Sequence, residues 1–349
     1  MANLTITSFY ARKAIFWGIV GLIGFIVVKG ALLMSVSIWK QLNPPTPSKP
    51  DMLFGQLPAL NFPASDIKLP DKFTYKLETI EGGLPTLPDV GKVYYMPKLK
   101  PNLLSLDRAN QKASKMGFKS TPEAIDKSSY KWTNLQNPPT TLEMNINNGN
   151  FSFRYPYETD QELLQSKNLP TNDQAAQEAK SFLSSNGLLT DDLATGSAEI
   201  SYYKYDPPLL VSAPSLSEAD FDRIVFLRSP LDNLKILPPD PKVGLVSFLF
   251  SGSRDTVKRI VEAKYTYFSI ERQTFGTYYL KSVTQAWQEL QGGNCYIAHL
   301  GQNSDGNITI RRVYLAYYDS FSPQNFLQLI FVFEGDRDFY GYVPAILAK

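Results

Sequence analysis

Residues 14–39 read AIFWGIVGLIGFIVVKGALLMSVSIW, 26 positions with a single charge, Lys29. About 20 apolar residues cross the hydrocarbon core of a bilayer, so the stretch predicts one transmembrane helix with room for tilt. Trp17 and Trp39 lie near its ends, where indole rings favour the membrane–water interface. Arg12 and Lys13 precede it, so the positive-inside rule puts residues 1–13 in the cytoplasm and the rest outside. A cleaved signal peptide with its apolar region at 14–28 is the alternative, but the apolar run continues to Trp39 and favours a single-pass signal anchor. Both readings place most of the chain at or beyond the outer face of the cell membrane.

Lys29 is the exception within the run. A lysine at the bilayer centre costs ~2.5–3.5 kcal/mol on insertion scales. Snorkelling to the interface is the simpler account of it. The alternative is pairing with an acidic residue in the membrane helix of a partner. Gly21 and Gly24, with Gly18, recur every third residue and mark a candidate close-approach face, although not at GxxxG spacing.

Residues 40–101 form a Pro-rich, extended stalk. Eleven prolines between 41 and 101 forbid a helix or a central strand. Pro44, Pro45 and Pro47 predict a semi-rigid spacer. Leu53, Phe54, Leu57, Leu60 and Phe62 are too apolar for a free linker and imply extended packing along a folded domain. Short strands are expected at 73–77 and 93–96.

Three modules follow, at 102–160, 161–280 and 281–349, each a short helix and then aromatic strands. The first helix, Ser105 to Gly117, carries Leu106, Ala109, Ala113 and Met116 on one stripe. Ser105 is its expected N-cap. The second, Thr171 to Gly187, opens with the capping-box pair Thr171 and Gln174. The third, Ser282 to Gly293, repeats that pattern with Ser282 and Gln285. The middle module holds seven prolines between 207 and 241 and should be the most irregular. The spacing of the helices is too uneven for a solenoid. The fold class is therefore α+β, with short helices packed on antiparallel sheets.

The strand pairing can be argued residue by residue. Asn148-Gly149 signals a two-residue turn, which sets Ile146 opposite Phe151, Met144 opposite Phe153 and Leu142 opposite Tyr155. Near Arg311-Arg312 the apolar phase of a strand changes, which predicts a bulge or a strand buried on both faces. Leu327 to Phe333 reads as a central strand, and Pro344 argues for an edge.

The composition excludes much chemistry. Thirty-five basic and 33 acidic residues give a net charge of +2, with no basic stripe for nucleic acid. One cysteine, Cys295, and one histidine, His299, exclude an intramolecular disulfide and a multi-histidine metal site. On one strand the two lie ~13 Å apart, at ~3.3 Å per residue, too far for a dyad. No nucleophile-elbow, zinc-protease or phosphate-loop motif occurs. The 303–307 segment starts like a calcium loop but has Tyr314 where the twelfth-position Glu belongs. The chain is expected to be no enzyme and to hold no cofactor or metal. Adjacent tyrosine pairs leave one ring of each facing outward on a strand, so Tyr203, Tyr279 and Tyr318 are candidates for surface binding.

The run Ser282 to Gly293, then Ile310 to Tyr318, Leu329 to Gly335 and Tyr342 to Ala345, resembles the C-terminal region of the YycH/YycI-type extracytoplasmic regulators, and more broadly PepSY-like domains. That resemblance spans about residues 105–349. It implies a short helix packed on an antiparallel sheet and no catalytic residues. It also implies outer domains that modulate a membrane sensor kinase through membrane-helix contacts. The alternatives are a cell-envelope binding module for glycan or peptide, and a hydrolase with a carboxylate pair that no motif marks.

Overall fold

The computed structural model describes residues 4–42, 49–64, 69–135, 138–347 and divides into two units, Met1–Lys49 and Pro50–Lys349. The first unit is one helix, α1 (Leu4–Leu42), of 39 residues. Between residues 16 and 34 its described side chains are apolar except for Lys29, and Phe16, Trp17, Leu22, Ile23, Phe25 and Ile26 all stand exposed. Among the described residues no helix is long and apolar enough to cross a membrane. The expected span 14–39 lies in part outside them, at the side chains of residues 14, 15, 27, 33 and 36–39. The expected Pro44–Pro47 spacer lies outside them altogether.

The second unit is α+β, with two antiparallel-rich sheets and few helices. It begins with β1 (Thr74–Leu77) and β2 (Val90–Tyr95), followed by α2 (Ser105–Lys115). Next come β3 (Glu123–Ala124), β4 (Ser129–Asn134), β5 (Thr140–Asn145) and β6 (Phe151–Arg154). The middle region holds α3 (Gln161–Gln165), α4 (Asn172–Ser185), α5 (Asp191–Ala194), β7 (Ala198–Asp206), β8 (Leu209–Ser212), β9 (Phe221–Phe226) and β10 (Ile236–Leu237). Then follow β11 (Val246–Ser251), α6 (Thr256–Arg259), β12 (Ile260–Tyr265) and β13 (Glu271–Tyr279). The chain closes with α7 (Val283–Gln291), β14 (Tyr296–His299), β15 (Asn307–Tyr318), β16 (Phe326–Gly335) and β17 (Phe339–Pro344).

The nine-stranded sheet runs β3-β4-β5-β6-β12-β11-β9-β7-β8. It joins the expected first and second modules into one sheet, because β6 pairs with β12 across more than a hundred residues of sequence. The expected boundary at residue 160 therefore separates no sheets. Helices α2 and α4 both cover one face, with Ala109, Ala113, Ala175, Ala179 and Leu183 packed on Trp132, Leu142, Met144, Phe226, Phe248 and Phe250. Alanines let the helix backbones approach the sheet closely. The aromatic rings opposite fill the layer.

The eight-stranded sheet has the core order β1-β15-β16-β17-β14, with β2, β10 and β13 attached. It too crosses an expected boundary: β1 and β2 come from the predicted stalk, and β13 from the predicted middle module. β1 pairs in parallel with β15, and β2 lies antiparallel to β13. Helix α7 covers one face through Ala286 and Leu290. Leu60 and Phe62 cover the other, against Tyr318, Ile330, Val332 and Tyr342. Thr74–Leu77 and Val90–Tyr95 are thus strands of this sheet, and Leu60 and Phe62 pack along it in the manner expected of the apolar residues of this segment. The apolar residues between the prolines supply its second cover.

Local expectations fare unevenly. Thr171 and Gln174 form the full capping box, and Ser282 Oγ accepts from the Gln285 amide at 3.2 Å. Ser105 is not a cap: it sits inside α2, buried, and the Asn102 side chain accepts the Leu104 amide instead. In the β5–β6 hairpin Leu142 faces Phe153 and Met144 faces Phe151, a slip of two residues from the expected pairing. Asn145 Oδ1 accepts the amides of Asn147 and Asn148, and Gly149 adopts φ +76, which builds a longer loop than a two-residue turn. A two-residue slip preserves the faces, so the apolar side still meets α2 and α4. The register shift between Ile310 and Arg312 is the expected bulge. β16 is central, with β15, β17 and β2 as partners. β17 is no edge strand: β14 pairs with it at Tyr342, and Pro344 is accommodated beyond the end of that pairing. Residues 256–259 form the single turn α6 under the Asp255 cap.

Candidate functional site

The residues singled out from sequence do not converge. Gly21, Gly24 and Lys29 are exposed on α1, and a Cβ at either glycine would meet nothing within 4 Å. Tyr203 lies on the nine-stranded sheet, half-buried beneath the Arg223 guanidinium at 4.8 Å from its ring. Tyr279 is exposed on the other sheet. Tyr318 is fully buried, edge-on to Phe62 at 4.8 Å, which removes it as a surface residue. The stalk segment that covers the sheet accounts for this change. His299 Nδ1 contacts Asp240 at 3.3 Å, and the half-buried Cys295 thiol faces the Leu290 carbonyl at 3.9 Å, so the two have separate partners.

The cation-loop candidates are held by protein groups. Asn303 is fully buried, and its amide donates to the carbonyls of Leu300, Asp336 and Arg337. Arg311 chelates Asp336, and Arg337 reaches Asp305 at 3.3 Å. Among the described residues no group of three or more His, Cys, Asp or Glu is placed to hold a metal ion.

Three polar clusters were not anticipated. The first centres on Arg228. Its Nε donates to Asp192 at 2.6 Å, its Nη1 to Asp319 at 2.9 Å and to the Phe268 carbonyl at 3.0 Å. The guanidinium also lies 4.6 Å from the Tyr267 ring centre. Burial would raise Asp192, but Arg228, Thr190 and Tyr267 together hold its carboxyl below the usual range. Asp319 is raised, because burial is complete and one of its oxygens has no partner. The adjoining cavity has a volume of about 10 Å³, room for one water at most. The cluster is a junction between the sheets rather than a ligand site.

The second cluster is Asp222, on the face of β9 that α4 covers. It is fully buried and neither carboxylate oxygen has a partner among the described residues. Burial pushes its carboxyl up to about 7, with Arg259 opposing and Glu178 adding to the rise. Arg259 is committed elsewhere: it grips Glu178 through two bonds of 3.1 Å and donates to the carbonyls of Asn168, Ser251 and Ser253. A polar groove of about 690 Å³ runs beside Glu178 and Arg259, but Asp222 does not line it.

The third lies on the opposite face of the nine-stranded sheet. There β6, β9, β11 and β12 present Arg154, Arg223, Ser247, Glu262 and Lys264 around a concavity of about 180 Å³. Ser247 stands opposite Lys264, and Leu249 stands between Glu262 and Arg223. Arg154 Nη1 donates to Glu262 at 2.8 Å and its Nη2 to Glu158. Sequence carried a signal for this face: 261–265 alternates apolar and charged residues, which sets Glu262 and Lys264 on one side. Residues 221–226 lack that alternation: Asp222 shares a face with Ile224 and Phe226, and Arg223 with Phe221 and Val225, so the sequence did not mark which charge is buried. Arg228 gave no comparable signal.

No family profile matches the sequence, and no curated protein does. Among solved structures, the chain is similar to an uncharacterized protein from Eubacterium rectale ATCC 33656 at 10% identity and a TM-score of 0.35, over 80% of this chain and 90% of that one.

Proposed function

We propose that the chain is a membrane-anchored, extracytoplasmic regulatory or interaction protein, with α1 as its single membrane crossing. The observation that carries this is the exposure of α1. A helix that is apolar on every side is either buried in protein or set in lipid. Leaving a large apolar side chain in water forfeits about 1.5–3 kcal/mol, and six such side chains outweigh the ~2.5–3.5 kcal/mol cost of Lys29 in the membrane. In this reading the exposed apolar side chains of α1 offset the cost of its lysine.

The resemblance to YycH/YycI-type regulators and PepSY-like domains supports the same reading and suggests a membrane sensor kinase as the partner. In that reading Lys29 pairs with an acidic residue of the partner helix, and Gly21 and Gly24 allow close approach. The envelope-binding alternative loses Tyr318 to the core and Tyr203 to Arg223. The hydrolase alternative needs two close carboxylates facing a cleft, whereas Asp192 and Asp319 hold Arg228 in the interior.

A topology reporter fused after Lys349 tests the anchor. An extracytoplasmic signal from a membrane-bound fusion is expected, and a cytoplasmic or soluble one overturns the proposal. Cross-linking of wild type and Lys29→Leu tests the pairing: the idea fails if every cross-linked partner is unchanged.

A further inference from the structure

The geometry points to an oxyanion-binding site on the open face of the nine-stranded sheet, formed by Arg223, Lys264 and Ser247. Donors that lack a hydrogen-bonded acceptor mark it. The Arg223 guanidinium carries five N–H donors, yet among the described residues it makes no hydrogen bond. Glu262 approaches only to 3.7 Å, and Tyr203 offers the face of its ring. The Arg223 side chain is 19% exposed, so bulk water solvates it poorly. Lys264 has no carboxylate partner among the described residues; its ammonium lies 4.3 Å from the Phe321 ring centre. Ser247 is 8% exposed, and its hydroxyl has no protein partner there either.

Charge balance agrees. Arg154, Arg223 and Lys264 face Glu158 and Glu262, which leaves one positive charge over. Burial and the neighbouring Arg223 both disfavour the charged form of Lys264. The one carboxylate lining the hollow, Glu262, is held by Arg154 at 2.8 Å and stays outside hydrogen-bond reach of Arg223, so the donors of Arg223, Lys264 and Ser247 remain open to an anion. An oxyanion supplies the missing acceptors. Its oxygens match the guanidinium fork, and its charge cancels the excess. The hollow of about 180 Å³ admits a carboxylate or a phosphate monoester group.

The experiment uses the full chain in a non-ionic detergent and Tris chloride. Its Tm is followed against sodium phosphate and, separately, sodium acetate, with sodium chloride at matched ionic strength as the reference. A saturable rise above the chloride series is expected. Arg223→Gln and Lys264→Gln should each weaken the apparent affinity about tenfold, the loss of one charge-assisted hydrogen bond. Lys76→Gln, a cation on the other sheet that pairs with Glu78, should leave the response in place. Should a variant fail to fold, protection of Lys264 from acetylation in the wild-type chain reads the same site by mass spectrometry. A response to phosphate alone assigns phosphate monoesters, and one to acetate alone assigns carboxylates. The absence of any saturable rise or protection overturns the site, as does an equal rise in Arg223→Gln and Lys264→Gln.

Discussion

Arg228 and Asp319 form an ion pair of 2.9 Å between the two sheets, Arg228 just past the end of β9 and Asp319 just past the end of β15. Both side chains are nearly inaccessible to solvent, at 6% and 2% exposure. Asp192 takes the other edge of the same guanidinium, so one cation is shared between two buried carboxyl groups. Removing the arginine leaves both unpaired, and breaking a buried pair in this way costs about 3–5 kcal/mol. Arg228→Met is therefore expected to lower the urea midpoint steeply. Glu78→Gln, which disturbs the exposed partners Lys76 and Arg311, should change stability by less than about 1 kcal/mol. Equal losses in the two variants would refute the assignment of Arg228 as the clasp.

Asp222 gives the protein a stability that falls as pH rises. Its carboxyl stands at about 7 in the folded chain against 3.8 when unperturbed, so the folded state holds the proton more tightly. Below about pH 4 the group is protonated in both states and costs nothing. Between about pH 4 and pH 7 the unfolded chain ionises first, and stability drops by up to roughly 4 kcal/mol. Arg259 and Glu178, the charged groups that act on it, already neutralise each other. Asp222→Asn should flatten that limb, so its stability relative to wild type improves from pH 4 to pH 8. Urea denaturation at the two pH values measures this, and parallel curves would show that the carboxylate is solvated in the folded state.

These two groups also show what sequence could and could not convey. Residues 221–226 set Asp222 with Ile224 and Phe226 but Arg223 with Phe221 and Val225, so which charge would be buried was not legible. The capping box at Thr171 and the bulge at Arg311 were legible, because each depends on residues close in the chain. Sheet membership was not. The β6–β12 pairing and the insertion of β1 beside β15 are long-range choices that no local pattern encodes, and they decide where Tyr318 and Arg228 finish. The hairpin lies between these cases. Its faces followed from alternation, whereas its register depended on Asn145, whose side chain shapes the loop.

That loop yields a third test. Asn145 Oδ1 accepts two amides, at 3.0 and 3.3 Å, and Gly149 holds a positive φ. Alanine at 149 would be strained there, although its nearest neighbour, the Lys112 ammonium at 2.6 Å from a built Cβ, is a flexible chain end. Gly149→Ala and Asn145→Ala should each cost about 1–2 kcal/mol in urea unfolding. If the hairpin instead closed by a two-residue turn at 148–149, Asn145→Ala would be neutral while Gly149→Ala would not.

Cys295 offers the last test, since it is the only thiol in the chain. It is half-buried between α7 and β14, close to Tyr75, and burial pushes its thiol up to about 11 from a reference of 9.0. Maleimide reacts with the thiolate, so at pH 7.5 two units of pKa reduce the reactive fraction about a hundredfold, before any steric protection. Labelling of the folded chain should therefore be at least that much slower than labelling in 8 M urea. As urea increases, the onset of fast labelling should coincide with loss of circular dichroism, because α7 and β14 are tied into the eight-stranded sheet through β17. Fast labelling in buffer would mean that the α7–β14 corner opens independently of the sheet.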